Sequence, residues 1–114
     1  MHARVTLFEI DTLRIGLDDA LQLFKQRVLP RLHQQPGCVG VIALDTPEGK
    51  GMLISFWDTA EAASASVETG FYEEQVAEFT MFLRQPPGRE HYEVIFQEIN
   101  SAFEKAAGNA AAQS

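Results

Sequence analysis

Trp57 is the single tryptophan of a 114-residue chain. It closes the apolar run MLISFW, residues 52–57, just where the spacing turns helical. An indole in that place either walls a ligand pocket or ends a core strand with its N–H on one partner. Further along, His91 and Tyr92 follow Arg84 and Arg89. Chemistry that ionises a weakly acidic substrate needs a base and donors to hold the anion formed. Imidazole titrates near neutral pH, so His91 is the candidate base. Tyr92 or an arginine is the candidate donor. Neighbouring strand residues point to opposite faces, however, so His91 and Tyr92 cannot line one pocket if their strand is regular. Phe71, Tyr72, Phe79 and Phe82 supply aromatic surface. Core packing accounts for most of it, and the alternative is a pocket for a flat apolar ligand. Gly70, just ahead of this aromatic segment, would let it shift.

Other chemistries find less support. His2, His33 and His91 fall on a chain end, a helix end and a strand, without the short spacing of a metal pair. Cys38 is the single cysteine, which excludes an internal disulfide and suits a small buried apolar residue. No glycine-rich phosphate loop is present. Net charge is −7, and residues 51–83 carry six acids without one Lys or Arg. Nucleic acid and anionic membranes, which reward clustered basic residues, are therefore not expected as partners. No apolar run is long enough to span a membrane. The N-terminus has no signal-peptide pattern, so a cytoplasmic location is expected.

The elements that would position these residues follow from periodicity. ARVTLFEI, residues 3–10, reads as a strand. From Leu17 the apolar residues Ala20, Leu21, Phe24, Val28 and Leu32 take helical spacing. Pro30 should kink or split that helix. CVGVIALD (38–45) and MLISFW (52–57) flank TPEGKG as a hairpin. Asp58 and Glu61 have capping-box spacing and predict a helix from Asp58, which Gly70 ends or bends. Tyr72, Val76, Phe79, Phe82 and Leu83 predict a further helical stretch, stopped by QPPG. EHYEVIFQEI, residues 90–99, predicts the fourth strand. The order β-α-β-β-α-β is the ferredoxin-like α+β arrangement, a four-stranded antiparallel sheet with helices on one face. Residues 1–100 form the one expected domain and 101–114 a flexible tail. A sheet with one wet face should alternate polar and apolar residues. Strands two and three are apolar on both faces, so a homodimer packed sheet to sheet is expected.

In this order, QQPGCVGV, the hairpin, SFWDTAEAASAS and FYEEQVAEFTMFLRQPPGREHYEV resemble the antibiotic biosynthesis monooxygenase (ABM) domain family of the dimeric α+β barrel superfamily. The resemblance covers roughly residues 3–98. It implies a homodimeric barrel, with a pocket in each subunit between sheet and helices. It also implies a monooxygenase that oxidises a small aromatic or quinol-like compound with molecular oxygen and no metal or flavin cofactor. The pocket residues would be Trp57, Tyr72, Phe79 and Phe82, with His91 as the catalytic group. A non-catalytic dimer that binds a small hydrophobic molecule, or serves in stress, is the alternative. A heme-degrading enzyme is disfavoured. Those relatives pair the tryptophan with a strand-one Asn and a helix His, and here strand one has no Asn and residues 58–90 no His.

Overall fold

A computed structural model describes residues 1–107. Strand β1 (His2–Glu9) lies inside a four-stranded antiparallel sheet. It pairs with β3 (Lys50–Trp57) on one side and β4 (Gly88–Glu93) on the other, and β2 (Cys38–Asp45) pairs with β3, giving the order β2-β3-β1-β4. This is the ferredoxin-like arrangement expected from the pattern. The register places Arg4 opposite Ser55 and His91, and Ala3 opposite Phe56 and Tyr92. A bulge between Cys38 and Gly40 absorbs Val39, which is exposed.

The connection after β1 is one helical run in three parts. Helix α1 (Leu17–Leu23) passes into a π-helical turn (Phe24–Val28) and then into α2 (Leu29–His33). Asp18 and Asp19 stand in the first turn of α1, where the helix dipole favours negative charge. Pro30 occupies the start of α2. Its missing N–H costs least there, and the wider turn before it absorbs the ring. The predicted split at Pro30 is therefore realised one turn earlier as a change of helix type.

Helix α3 (Ala60–Glu68) begins one residue later than the capping-box spacing suggests. Thr59, not Asp58, is the N-cap, and its hydroxyl accepts from the Ala62 N–H at 3.0 Å. Gly70 follows with φ +87°, a left-handed conformation that ends α3 and starts α4 (Phe71–Ala77). A 3-10 turn (Thr80–Phe82) replaces the last part of the predicted helix. Both helical connections pack on one sheet face, where Trp57, Leu32, Ala63 and Phe71 form the buried core with Cys38, Val41 and Ala62 against it.

The fourth strand is shorter than the pattern indicates. It ends at Glu93, and Val94 makes one last backbone bond to the Met1 carbonyl. Residues 95–100 leave the sheet, and Ser101–Ala107 form helix α5, in the region expected to be tail. Residues 108–114 of that expected tail lie outside the described residues. Beyond Val94 the apolar alternation that suggests a strand has no neighbouring strand to pair with among the described residues. Ile95 and Phe96 are 91% and 79% exposed.

The hairpin turn between β2 and β3 depends on Gly49. Its φ is +95°, and a Cβ there would stand 2.5 Å from the Ile10 carbonyl oxygen. Ile10 in turn donates to the Gly49 carbonyl at 2.8 Å, so the turn and the end of β1 are held together. Gly49→Ala is expected to cost roughly 2 kcal/mol or more, from left-handed strain plus a backbone collision. Gly88→Ala, where a Cβ meets open space, should change stability by less than about 0.5 kcal/mol. Urea unfolding of both variants checks the pair; equal effects would refute the account of the turn.

Candidate functional site

Between the helix-covered face of the sheet and the two helical connections lies a cavity of about 280 Å³. Its wall is mostly apolar. The sheet contributes Thr6, Phe8, Ile10 and Leu53. The first helical run contributes Leu17, Ala20, Leu21, Phe24, Val28 and Leu32, and α4 with its following turn contributes Phe71, Val76, Phe79 and Leu83. The same 3.6-residue spacing that makes these helices amphipathic directs their apolar sides here.

Six polar side chains interrupt this wall: Arg4, Thr6 and Ser55 from the sheet, Asp45 at the end of β2, and Tyr72 and Gln75 from α4. Tyr72 and Gln75 sit one helical turn apart on one face of α4. Each is only 8% exposed. The Tyr72 hydroxyl and both amide atoms of Gln75 are buried without a hydrogen-bond partner among the described residues. Orphaned buried polar atoms cost about 1–3 kcal/mol each, so their presence needs a cause.

Arg4 is 5% exposed. One terminal guanidinium nitrogen donates to the Ala63 carbonyl at 3.2 Å and the Ser66 hydroxyl at 2.5 Å. The Ser66 hydroxyl in turn donates to the same Ala63 carbonyl at 2.7 Å. The guanidinium carbon lies 4.9 Å from the Trp57 ring centre and 5.1 Å from that of Tyr72. Arg89 covers the Tyr72 ring as well, at 4.8 Å, so the phenol ring meets two cations. Burial, with a smaller contribution from the Arg89 charge, holds the Arg4 guanidinium below its ordinary pKa; Tyr72 and Cys38 work against that.

Trp57 has no exposed surface. Its indole N–H donates to the Ser55 hydroxyl at 2.9 Å. It stands behind the cavity wall, where it supports Arg4 and anchors the core. Cys38 packs at the same core, and burial pushes its thiol up, the direction of an inert side chain.

No protein-family model matches the chain. Two uncharacterized proteins of Mycobacterium tuberculosis are 36% identical to it over 69 residues, a stretch that makes up 60% of this chain and 28% of theirs. The chain therefore spans less than a third of the length of these curated relatives. Solved structures are similar over nearly its whole length. SnoaB, a cofactor-independent oxygenase from Streptomyces nogalater, superposes with a TM-score of 0.66 at 12% identity, covering 87% of this chain and 97% of its own. A crystal structure of an antibiotic biosynthesis monooxygenase gives 0.66 at 17%, covering 84% and 100%. A protein of unknown function from Nitrosomonas europaea gives 0.64 at 21%, covering 88% and 94%. The chain shares the fold of these ABM proteins. At these identities the likeness is one of architecture, and chemistry must be argued from the site.

Within this ABM fold, the residues singled out from sequence separate into groups. Tyr72 and Phe79 line the cavity; Trp57 lies behind it, and Phe82 and His91 are not among its lining residues. His91 is exposed on the edge strand β4, where its Nε2 lies 3.0 Å from Nδ1 of His2. It lines a second cleft with Arg4, Arg89, Glu90 and the α3 residues Ala63, Ser64, Val67 and Glu68. Tyr92 points to the opposite sheet face, as strand alternation requires, and bonds the Glu90 carboxylate, which raises its pKa. Sequence reasoning missed Arg4, Ser55 and Gln75. The signal for Gln75 was available, since it falls inside the apolar stripe of α4. Arg4 shares its strand face with Thr6, Phe8 and Ile10, but a lone charge there gives no local signal of burial. Among the described residues no group of three or more His, Cys, Asp or Glu is placed to hold a metal.

Proposed function

We propose that this domain is an ABM-type monooxygenase that takes a small aromatic or quinol-like compound and oxidises it with molecular oxygen, without a bound metal or flavin. The observation that carries the reading is the character of the cavity. It is a largely apolar chamber with unsatisfied polar atoms, from Tyr72 and Gln75, in its wall. Such a chamber suits a flat ligand whose few oxygens take up the orphaned groups. The SnoaB likeness supports the same class of chemistry. The balance of the reaction is simple. An activated CH2 flanked by aromatic or carbonyl groups loses a proton, and the carbanion reduces oxygen. The resulting peroxide loses water to leave C=O. One oxygen atom enters the product, the other leaves as water, and the substrate supplies all four electrons. Tyr72 and Gln75 orient the substrate oxygens, and the apolar wall keeps bulk water from the carbanion.

The test is oxygen uptake with a panel of quinols and polycyclic phenols, under 18O2. Turnover with a single labelled oxygen in the product is the expected result. Binding of the panel without oxygen uptake would replace the reading with that of a ligand-binding module. A specific observation favours that second reading: the imidazole expected as base, His91, lies outside the cavity lining.

The domain also belongs, in our reading, to a homodimer. Val5, Leu7, Ile42, Leu44, Met52, Ile54 and Phe56 share the sheet face that the helices leave uncovered. Leu7 and Leu44 are about half exposed, and Ile95 and Phe96 extend from the end of β4 with almost no cover. Apolar surface of this extent marks an interface, and a second copy of the same face satisfies it.

A further inference from the structure

Arg4 is a buried cation without a counter-ion. Removing a guanidinium from water costs several kcal/mol, and folded proteins recover that by pairing it with a carboxylate. Six ion pairs form among the described residues, and none includes Arg4. The charged or ionisable groups that act on it are Tyr72, Arg89 and Cys38, not an acid. Its hydrogen bonds to Ala63 and Ser66 use one terminal nitrogen. Nε and the other terminal nitrogen make none among the described residues, so much of a five-donor fork is unused. Arg4 lines the cavity together with Tyr72 and Gln75, whose polar atoms are also unpaired. A free charge and several free hydrogen-bonding atoms thus share one chamber.

From this juxtaposition we propose that the chamber is an anion receptor: the ligand is a flat aromatic carrying one anionic oxygen, and Arg4 is the residue that selects for it. The inference rests on the cavity being the ligand site and adds the charge class of what it takes. A guanidinium can hold a carboxylate or phenolate oxygen through N–H donors that are otherwise idle. Trp57 and Ser66 fix the guanidinium in advance, so little side-chain entropy is lost on binding. Tyr72 or the Gln75 amide supplies a second donor to the same oxygen. Two hydrogen bonds and two ring faces offset the burial of this charge in part, and a ligand anion supplies the missing counter-charge. Two ligand chemistries meet the requirement, an aromatic carboxylate and a phenol that ionises on binding, and they share the anionic oxygen.

Three probes of one shape separate the cases: 2-naphthoate, 2-naphthol and the neutral 2-naphthylmethanol, titrated calorimetrically into the full chain. The wild-type protein is expected to bind naphthoate or naphthol at least 10-fold more tightly than naphthylmethanol. For naphthol, proton release, seen as a heat that depends on the buffer, would identify the phenolate as the bound species. A preference for naphthoate alone would identify the carboxylate. Arg4→Met should abolish the preference while leaving naphthylmethanol binding within about 3-fold. Arg4→Lys, which keeps the charge and loses the fork, should retain part of it and guards against misfolding of the methionine variant. Equal binding of all three probes by the wild type would overturn the anion assignment and leave the cavity reading standing. Failure of all three to bind would overturn the cavity reading itself, and the anion assignment with it.

Discussion

Trp57→Ala should unfold a large fraction of the stability of this domain. The side chain has no exposed surface and meets Leu32, Ala63 and Phe71 in the core. Truncating a fully buried aromatic to alanine typically costs 3–5 kcal/mol, part transfer energy and part cavity. Here two further losses add to it. The Ser55 hydroxyl loses its donor, and the Arg4 guanidinium loses one of the rings that sandwich it. Domains of this size have about 5–15 kcal/mol in total, so the melting temperature should fall by roughly 15 °C or more. Trp57→Phe preserves most of the packing and removes the indole N–H, and about 1–2 kcal/mol is expected. Urea melts at one fixed protein concentration measure both, since association would otherwise enter the comparison. A loss below about 1 kcal/mol for the alanine variant would mean that the core lies elsewhere.

Leu7→Glu should separate the proposed dimer into subunits without unfolding them. Leu7 is 46% exposed on the uncovered sheet face, so the isolated domain already tolerates water there. Between two such faces a carboxylate would be stripped of water with no partner, at a cost of about 3 kcal/mol or more. The dissociation constant should therefore rise roughly 100-fold. Sedimentation equilibrium is the measurement. The wild type is expected at twice the 12.7 kDa chain mass, and the variant at the chain mass with an unchanged circular dichroism spectrum. A wild type that sediments as a monomer at every concentration would refute the paired-sheet reading.

The sheet and its order were legible because each strand has its own local signature. The two-sided apolar pattern of β2 and β3, the TPEGKG turn and the change of period at Trp57 are all readable within a few residues. The errors lie where a distant neighbour decides. Residues 94–99 have the alternation of a strand, but among the described residues no strand lies beside them past the Val94 bond to the Met1 carbonyl. Asp58 and Thr59 are both competent caps, and the choice between them depends on how the chain leaves β3, where the Asp58 N–H is already held by the Gly37 carbonyl at 2.9 Å. The site was only partly legible. Tyr72 and Phe79 were found because aromatics at helical spacing announce themselves. Arg4 was not, because a charged residue near a chain end ordinarily reads as solvated; its burial comes from α3 laid over it, a contact 59 residues away in sequence.

The π-helical turn at Phe24–Val28 has a consequence for how such a chamber evolves. Both residues that bound the turn, Phe24 and Val28, line the cavity. A π turn is an α-helix with one residue more than its hydrogen-bond ladder needs, and such turns gather at functional sites. Inserting or deleting one residue here would re-index the cavity wall upstream of it while the sheet, Arg4 and α4 kept their places. Lineages that share this scaffold can thus resize the chamber in single-residue steps, changing which molecules fit without rebuilding what holds them.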